Sequence, residues 1–482
     1  MRSYLSIAAT VMMSACAVGP DYKSPAISVP NQWHESNVTS KPNLPDQWWK
    51  TFNDKELERL ISEAVIANLD YKIALERVID ARAQRSITFA SGLPSLSAKS
   101  SASRRFNNSA GTAQSGGATS GGGFGIGNQL INIFQMGFDA EWELDFFGGV
   151  RRALEAAEAT IESEQENSRD VLVTLLGDVA RNYIDLRANQ LKMDITRKTL
   201  SAQHEIQNLV RIRQQSGLAD MLDVAQAQSQ ADTTEAQIPG YEAQIDQSIH
   251  AISVLLGREP GALAIRLQNN SPVPKIDTTI LADLPSELLK RRPDIRRAER
   301  QLALANASVG VATAELYPKI NLAAFIGLQN MSIKDFTPIG KSWSTASTLT
   351  LPIFNWGKLN ANIRSKKSQY EQAFLSYKSS VLNAFKEVED ALVAVRKEQV
   401  RYQSLEKAAE ANRLAVTLAE ERYEKGLTGF IDVLQSQQSL YQTETSLADS
   451  TAKVSSNQVA LYKALGGGWQ IEDQTNRIGL KK

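Results

Sequence analysis

One residue in the 482-residue sequence has an evident covalent use, Cys16. Arg2 makes a short basic start, Tyr4 to Met13 is mostly apolar, and Ser14, Ala15 and Cys16 follow as small residues. That order reads as a secretory signal over residues 1–15, too short to span a bilayer. Met13-Ser14-Ala15-Cys16 has the form of a lipobox, which makes Cys16 the lipid-bearing first residue of the mature chain; a chance thiol beside a cleaved peptide is the plainer alternative. Ala17 follows where Asp would signal retention at the inner membrane, so the expected address is the outer membrane. Buried acyl CH₂ groups contribute about 0.8 kcal/mol each, enough for several chains to anchor the protein without a spanning helix. Apart from this covalent lipid no cofactor is expected. His34, His204 and His250 each lack a second ligand or base at helical spacing, and no phosphate loop, nucleophile elbow or zinc motif is present. Met136, Met193, Met221 and Met331 are scattered and form no thioether cluster. An enzyme is therefore not expected.

The remaining candidates are positional. Gly217 and Gly426 punctuate joins between long helical patterns, where the chain must reverse and a left-handed residue is needed. Asp432 follows the second join and suits a helix start. With 53 basic and 53 acidic residues the formal charge is zero, which removes the electrostatic signature of a nucleic-acid binder. A lone cysteine excludes a disulfide framework. Mean hydropathy is −0.28, and no apolar run approaches the ~20 residues of a spanning helix, although a membrane β-barrel remains open.

The elements that position these residues are duplicated. Laying Gly217-Leu218 on Gly426-Leu427 also lays Asp223-Val224 on Asp432-Val433, Val179 on Val388 and Leu256-Gly257 on Leu465-Gly466. A second offset lays Asp70 on Asp294, Ala81 on Ala305 and Pro94 on Pro318. The difference falls in a longer Ser/Gly-rich insert, Phe106 to Gly127, in the first half. Each unit reads helix, β segment, loop, β segment, very long helix, tight turn, long helix. Lys358 to Glu424 holds no Pro or Gly, a rod of roughly 100 Å at helical rise. Its apolar positions Tyr377, Val381, Ala384, Val388, Ala391 and Val395 form a heptad seam. The return helix repeats Val433, Leu440, Leu447, Val454 and Leu461, matched in the first unit by Val224, Ala231, Ile238, Ile245 and Ile252.

The β segments have a period of two. Phe134, Met136, Phe138, Ala140, Trp142 and Leu144 alternate with polar residues including Asp139, Glu141 and Glu143, and Ile320 to Leu328 alternates more weakly. The segments after Pro94 and around Ser344 to Leu351 are Ser- and Thr-rich. Such strands suit a soluble sheet buried on one face or a water-filled membrane barrel, and the export signal favours the barrel. Trp142 and Trp343 then belong to an aromatic interface belt or to a core. Four strands cannot close, and open edges in lipid cost several kcal/mol per unpaired group, so copies must share one barrel; three chains supply twelve strands.

Several motifs in order resemble outer-membrane efflux lipoproteins of the TolC superfamily. They are Pro20-Asp21-Tyr22-Lys23-Ser24-Pro25, Trp48-Trp49-Lys50-Thr51-Phe52, Trp142-Glu143-Leu144-Asp145-Phe146-Phe147-Gly148, Arg291-Arg292-Pro293-Asp294-Ile295 and Leu465-Gly466-Gly467-Gly468-Trp469. The resemblance implies an α+β, TolC-like fold: a homotrimer whose twelve-stranded outer-membrane barrel continues into a periplasmic helical barrel. It implies a lipidated tether over 16–53, repeats over 54–257 and 286–466, an equatorial linker over 258–285 and an equatorial tail over 467–482. The implied role is a passive exit duct, fed by an inner-membrane pump of the resistance-nodulation-division type through a periplasmic adaptor. A channel for type I protein secretion is the alternative, and an adaptor protein with a single helical hairpin is a poorer match. The resemblance also implies a gate at the periplasmic turns. There Asp432 matches an acidic ring position, Gln435 stands where a second Asp is common, Tyr423 and Asp223 match a pair that ties the closed tip, and Thr428 replaces a locking Arg.

Overall fold

The computed structural model describes residues 17–34, 39–40, 45–107, 129–276, 281–282, 285–332 and 340–470. Cys16, most of the Ser/Gly-rich insert and the tail beyond residue 470 lie outside the described residues. In chain order the helices are α1 (Lys55–Ala67), α2 (Leu69–Ser91), α3 (Gly149–Gln215), α4 (Met221–Glu235), α5 (Ile238–Leu255), α6 (Ala264–Leu267), α7 (Pro285–Arg291), α8 (Pro293–Ala314), α9 (Lys358–Glu424) and α10 (Phe430–Ala464). The strands are β1 (Thr39–Ser40), β2 (Ser95–Asn107), β3 (Gln129–Leu144), β4 (Leu281–Ala282), β5 (Lys319–Asn330) and β6 (Lys341–Thr350). No described helix is long and apolar enough to cross a membrane.

The chain divides into two compact units, each assembled from matching parts of both repeats. One comprises residues 1–24, 80–161 and 301–374 and is built on an antiparallel sheet of order β2-β3-β5-β6. Each repeat supplies one hairpin, and β3 pairs with β5 from Phe134↔Asn330 to Leu144↔Ile320. The period-two reading holds, and its apolar face points outward: Leu96, Met136, Phe138, Trp142, Ile326, Trp343 and Leu349 are all exposed. On the opposite face Gly137 pairs with Gly327, and a Cβ on either would come within 2.6 Å of the facing strand's backbone or of the Phe325 ring. Phe325 lies over this glycine pair and is the one buried large apolar residue of β5.

The second unit comprises residues 25–79, 162–300 and 375–482 and holds the main core. Its centre is a 3₁₀ turn, Trp48–Phe52, whose Trp48, Trp49 and Phe52 are buried. Trp48 stacks on Tyr462 with ring centres 5.5 Å apart. Asp54 caps α1 by accepting the Glu56 and Leu57 N–H groups and also receives the Tyr183 hydroxyl. Three motifs far apart in sequence meet here. Arg292 donates to Asp294, Glu387 and the Ala464 carbonyl. Gly468, at φ +110, brings the chain so close to Leu176 and Trp48 that a Cβ would collide. Trp469 then lies beneath Arg169 and Arg296, with guanidinium carbons 4.6 and 5.6 Å from its ring centre.

α3 and α9 each contain 67 residues, and α9 spans the Pro- and Gly-free run from end to end. Its seam is buried at Tyr377, Val381, Ala384, Val388, Ala391 and Val395. The return helices depart from expectation in two ways. In the first repeat the return is broken into α4 and α5, because Pro239 has no N–H to give the Glu235 carbonyl and its ring crowds that group. The equivalent position in α10 is Ala448, and that helix is continuous. The buried side of α10 is also more polar than a heptad seam of Leu and Val. Gln437, Ser450, Thr451, Ser455 and Gln458 are buried, whereas Leu440, Leu447 and Val454 are half-buried. The parallel pairing of β1 with β4, two residues on each side, has no sequence signal at that length.

Candidate functional site at the helix turns

The two turns are built alike. At the end of α3 the Leu218 N–H bonds to Arg213 O at 2.8 Å and the Gly217 N–H to Gln214 O at 3.0 Å. At the end of α9 the Leu427 N–H bonds to Arg422 O at 2.8 Å and the Gly426 N–H to Tyr423 O at 2.9 Å. Both are Schellman endings. Gly217 (φ +73) and Gly426 (φ +72) hold the left-handed position that a side chain would strain. Leu218 and Leu427 beside them are 69% and 66% exposed, so each turn presents one apolar residue to solvent.

Beneath the turns Val210, Ala227, Tyr423, Phe430 and Val433 form a small buried cluster that joins the hairpin of α3 and α4 to that of α9 and α10. Tyr423 is central to it. Burial pushes its phenol above the ordinary value, with Arg213 opposing and Asp223 adding to the rise. Its hydroxyl has no hydrogen-bond partner among the described residues, so in this conformation it makes no bond to Asp223, which is half-buried nearby. The polar tie between hairpins is instead Arg213. Its Nη1 donates to Tyr423 O at 2.9 Å and Glu424 O at 3.2 Å, and its guanidinium lies 4.7 Å from the Tyr423 ring centre. In the sequence Arg213 stands in an ordinary charged stretch of α3 and nothing there singles out its partner. The signal was its place just before a Schellman glycine, where a cation can reach carbonyls at a helix end.

Asp432 is exposed in the first turn of α10 and is not its N-cap; Gly429 occupies that position and has no side chain to cap with. Asp432 accepts a hydrogen bond from the Thr428 hydroxyl. Thr428 thus holds the Asp432 carboxylate locally. Gln435, one helical turn on, is exposed as well. Asp432 and Gln435 are therefore open to solvent, while Tyr423 is enclosed.

Two other sequence candidates fall in the sheet unit. Asp139 and Glu141 share Lys99 at 3.5 and 3.6 Å, and Glu143 pairs with Lys319 at 3.5 Å, so this acidic stripe is largely offset by its own lysines. The residues after Cys16 are held firmly. The Val18 N–H bonds to Phe147 O, and Arg152, 3% exposed, donates to the carbonyls of Val18 and Gly19 and to Asp21. Asn306 donates to the Pro20 carbonyl, and Gly19 packs on Gly310 closely enough that a Cβ would clash. The segment from Val18 to Asp21 is thereby attached to the helices that flank the sheet. Among the described residues no group of His, Cys, Asp and Glu could hold a metal.

A family profile described as "Outer membrane efflux protein" matches residues 60–258 and 284–467. Nodulation protein T of Rhizobium leguminosarum bv. viciae is 32% identical over 475 residues, covering 97% of this chain and 94% of that protein. The antibiotic efflux pump outer membrane protein ArpC of Pseudomonas putida is 32% identical over 481 residues, covering 97% of this chain and 96% of that protein. Among solved structures the outer-membrane channel OprN superposes with a TM-score of 0.86 at 31% identity, covering 94% of this chain and all of that one.

Proposed function

This chain belongs to the outer membrane efflux protein family, and we propose that three copies close one barrel to form the exit duct of a tripartite efflux assembly. One observation carries the proposal: an antiparallel sheet with an exposed apolar face, a polar opposite face and two unpaired edges. An apolar exterior and polar interior suit lipid outside and water inside. Closing the edges with further copies removes the unpaired backbone that lipid would not tolerate. Names among the relatives refer to solvents, antibiotics and cations, which supports small solutes rather than secreted protein as cargo.

Cys16 carries the lipid in this reading. The attachment of Ala17 to Asp21 beside the sheet sets the acyl chains at the level where its apolar face begins. The turns at Gly217 and Gly426 form the periplasmic end, where exposed Leu218 and Leu427 offer a periplasmic adaptor apolar contacts. The adaptor in turn engages a proton-driven pump of the resistance-nodulation-division type. Transport through the duct is passive, so the chain's own residues supply passage and closure. Three copies of Asp432 around the axis concentrate negative charge at the constriction and favour cations there. Arg213 and the Tyr423 cluster keep the two hairpins of each chain together and the end narrow. The test is conductance: purified mature protein in a planar bilayer is expected to behave as a trimer with low conductance that rises when the turns are loosened. A monomer that conducts under no condition would overturn the proposal.

A further inference from the structure

The outward face of the sheet carries one cation in each hairpin, at the same register position. Following the alternation from the exposed Leu96, Phe138, Ile326 and Trp343, that face is apolar or small and neutral along all four strands. Among the described residues only Arg104 in β2 and Lys341 in β6 break the pattern, and no acidic side chain shares the face with them. Arg104 pairs with Asn132, and Lys341 pairs with Leu328. The offset that lays Pro94 on Pro318 carries Arg104 onto Leu328, and the offset that lays Gly217 on Gly426 carries Asn132 onto Lys341, so the two pairs are equivalent. Cations of the opposite face are matched by carboxylates: Lys99 meets Asp139 and Glu141, and Lys319 meets Glu143. Arg104 and Lys341 are exposed and make no ion pair among the described residues.

Their height on the wall follows from strand length. The helices α2, α3, α8 and α9 all adjoin one end of the strands, and the hairpin connections lie at the other. Lys341–Thr350 is ten residues long, and Ser95 to Arg104 is the same length measured from the same end. At about 3.4 Å per residue this is roughly 30 Å along the strand, or roughly 23 Å of height at the tilt of a membrane barrel. Such barrels carry an apolar band about 25 Å tall, bordered by aromatic residues. The two cations therefore stand at the border far from the helices, at the level of lipid headgroups rather than acyl chains. A cation on a lipid face is costly at the midplane and close to free at that border. Each has an exposed aromatic residue two positions along on the same face, Phe106 beside Arg104 and Trp343 beside Lys341.

We infer that Arg104 and Lys341 bind the phosphate groups of an outer-leaflet glycolipid. The occupant is a lipid because both cations face away from the polar interior and are bordered by apolar side chains on the same face. This rests on the reading of the sheet as a membrane wall with its helices on the periplasmic side. The Arg104 guanidinium can take two phosphate oxygens through its planar fork, whereas Lys341 supplies a point charge. Both residues lie on edge strands, so the ring proposed above brings one Lys341 and one Arg104 to each joint between copies. A lipid bearing two phosphates matches that pair in charge. Its acyl chains then run along the rows nearer the helices, beginning with Ala102 and Phe134 in the first hairpin and Ile326 and Trp343 in the second.

The experiment is native mass spectrometry of full-length protein in detergent, titrated with lipid A, a diglucosamine lipid carrying two phosphates, and with the same lipid stripped of phosphate. One basic side chain beside an anionic headgroup contributes about fivefold in affinity, so Arg104→Gln and Lys341→Gln should each weaken retention of lipid A by about that factor, and the double variant by roughly 25-fold. Arg105→Gln, which removes the adjacent cation on the opposite face, should leave retention at the parental value. The phosphate-free lipid should bind the parent as weakly as lipid A binds the double variant, and inorganic phosphate should not displace lipid A. Parental retention by the double variant, an equal loss in Arg105→Gln, or equal binding of the phosphate-free lipid overturns the site. Displacement by inorganic phosphate makes the occupant a free ion and overturns the lipid assignment. The same spectra read the assembly: a trimer whose retention ignores both residues overturns the site alone, whereas a monomer that holds lipid A through them overturns the ring and leaves the site.

Discussion

Removing the Arg213 side chain asks whether one cation holds the two hairpins of the tip together. Arg213 donates to two carbonyls at the end of α9 and lies over the Tyr423 ring. A hydrogen bond to a charged group contributes about 1.5–3 kcal/mol. Here the Glu424 bond is exposed, and the Tyr423 carbonyl also accepts the Gly426 N–H. Each bond is therefore taken at about 1 kcal/mol after solvent screening. The ring contact adds about 0.5–1 kcal/mol at a partly exposed site. The total, about 2.5–3 kcal/mol, corresponds to roughly a 70- to 160-fold shift toward separated hairpins in each chain. Single-channel recording of Arg213→Ala should show longer and more frequent open events than the parent. Arg213→Lys, which keeps the charge but loses the planar fork, should fall between. Thermal melting separates this effect from general damage, since the main core around Trp48 lies in other contacts. A folded Arg213→Ala trimer with parental open probability would refute the reasoning.

Asp432→Asn removes the exposed carboxylate while keeping an acceptor for Thr428, so it should reduce cation selectivity without loosening the tip; unchanged reversal potentials would remove Asp432 from the pore. Glu166 is buried and takes Arg169 and Arg296 on one oxygen at 2.7 and 2.6 Å, while its other oxygen has no hydrogen-bond partner among the described residues. Burial raises its carboxyl above the ordinary 4.5 despite these arginines, so the folded state binds this proton before the unfolded chain does. The cost of its charge is thus complete above the raised folded value and fades as pH falls through that value toward 4.5; Glu166→Gln should flatten this segment of the Tm-against-pH curve, and an identical slope would contradict the assignment. Gly310→Ala places a Cβ 2.8 Å from Arg152 Cγ and Cδ, and overpacking of this kind costs about 1–3 kcal/mol. It should free the segment from Val18 to Asp21, seen as faster protease cleavage there, and parental cleavage rates would show that Arg152 does not depend on this space.

Much of the molecule was legible because its periods are long and repeated. A run of α9 without Pro or Gly can only be one helix, and its seam from Tyr377 to Val395 is buried as read. The strands followed from alternation, and their apolar face is the exposed one. The gate was less legible. Asp432, Gln435, Gly217 and Gly426 could be placed, since turn chemistry is local. Tyr423 could be noticed, but its partner could not, because Arg213 reaches it across a separation that no spacing rule connects. Pro239 was visible in the sequence, yet the continuity of the apolar heptad concealed the break it causes.

Local chemistry in the chain by itself determined the helix and strand spans and the glycine turns, because each depends on neighbours within a few residues. Tertiary structure alone decided which distant groups meet: Trp48 with Tyr462 and Gly468, Arg152 with the residues after Cys16, Arg213 with Tyr423. It also decided the strand order, which sets β3 beside β5 and leaves β2 and β6 at the edges. Those outcomes depend on packing and register across hundreds of residues, where a side chain's partner is set by geometry rather than by sequence distance.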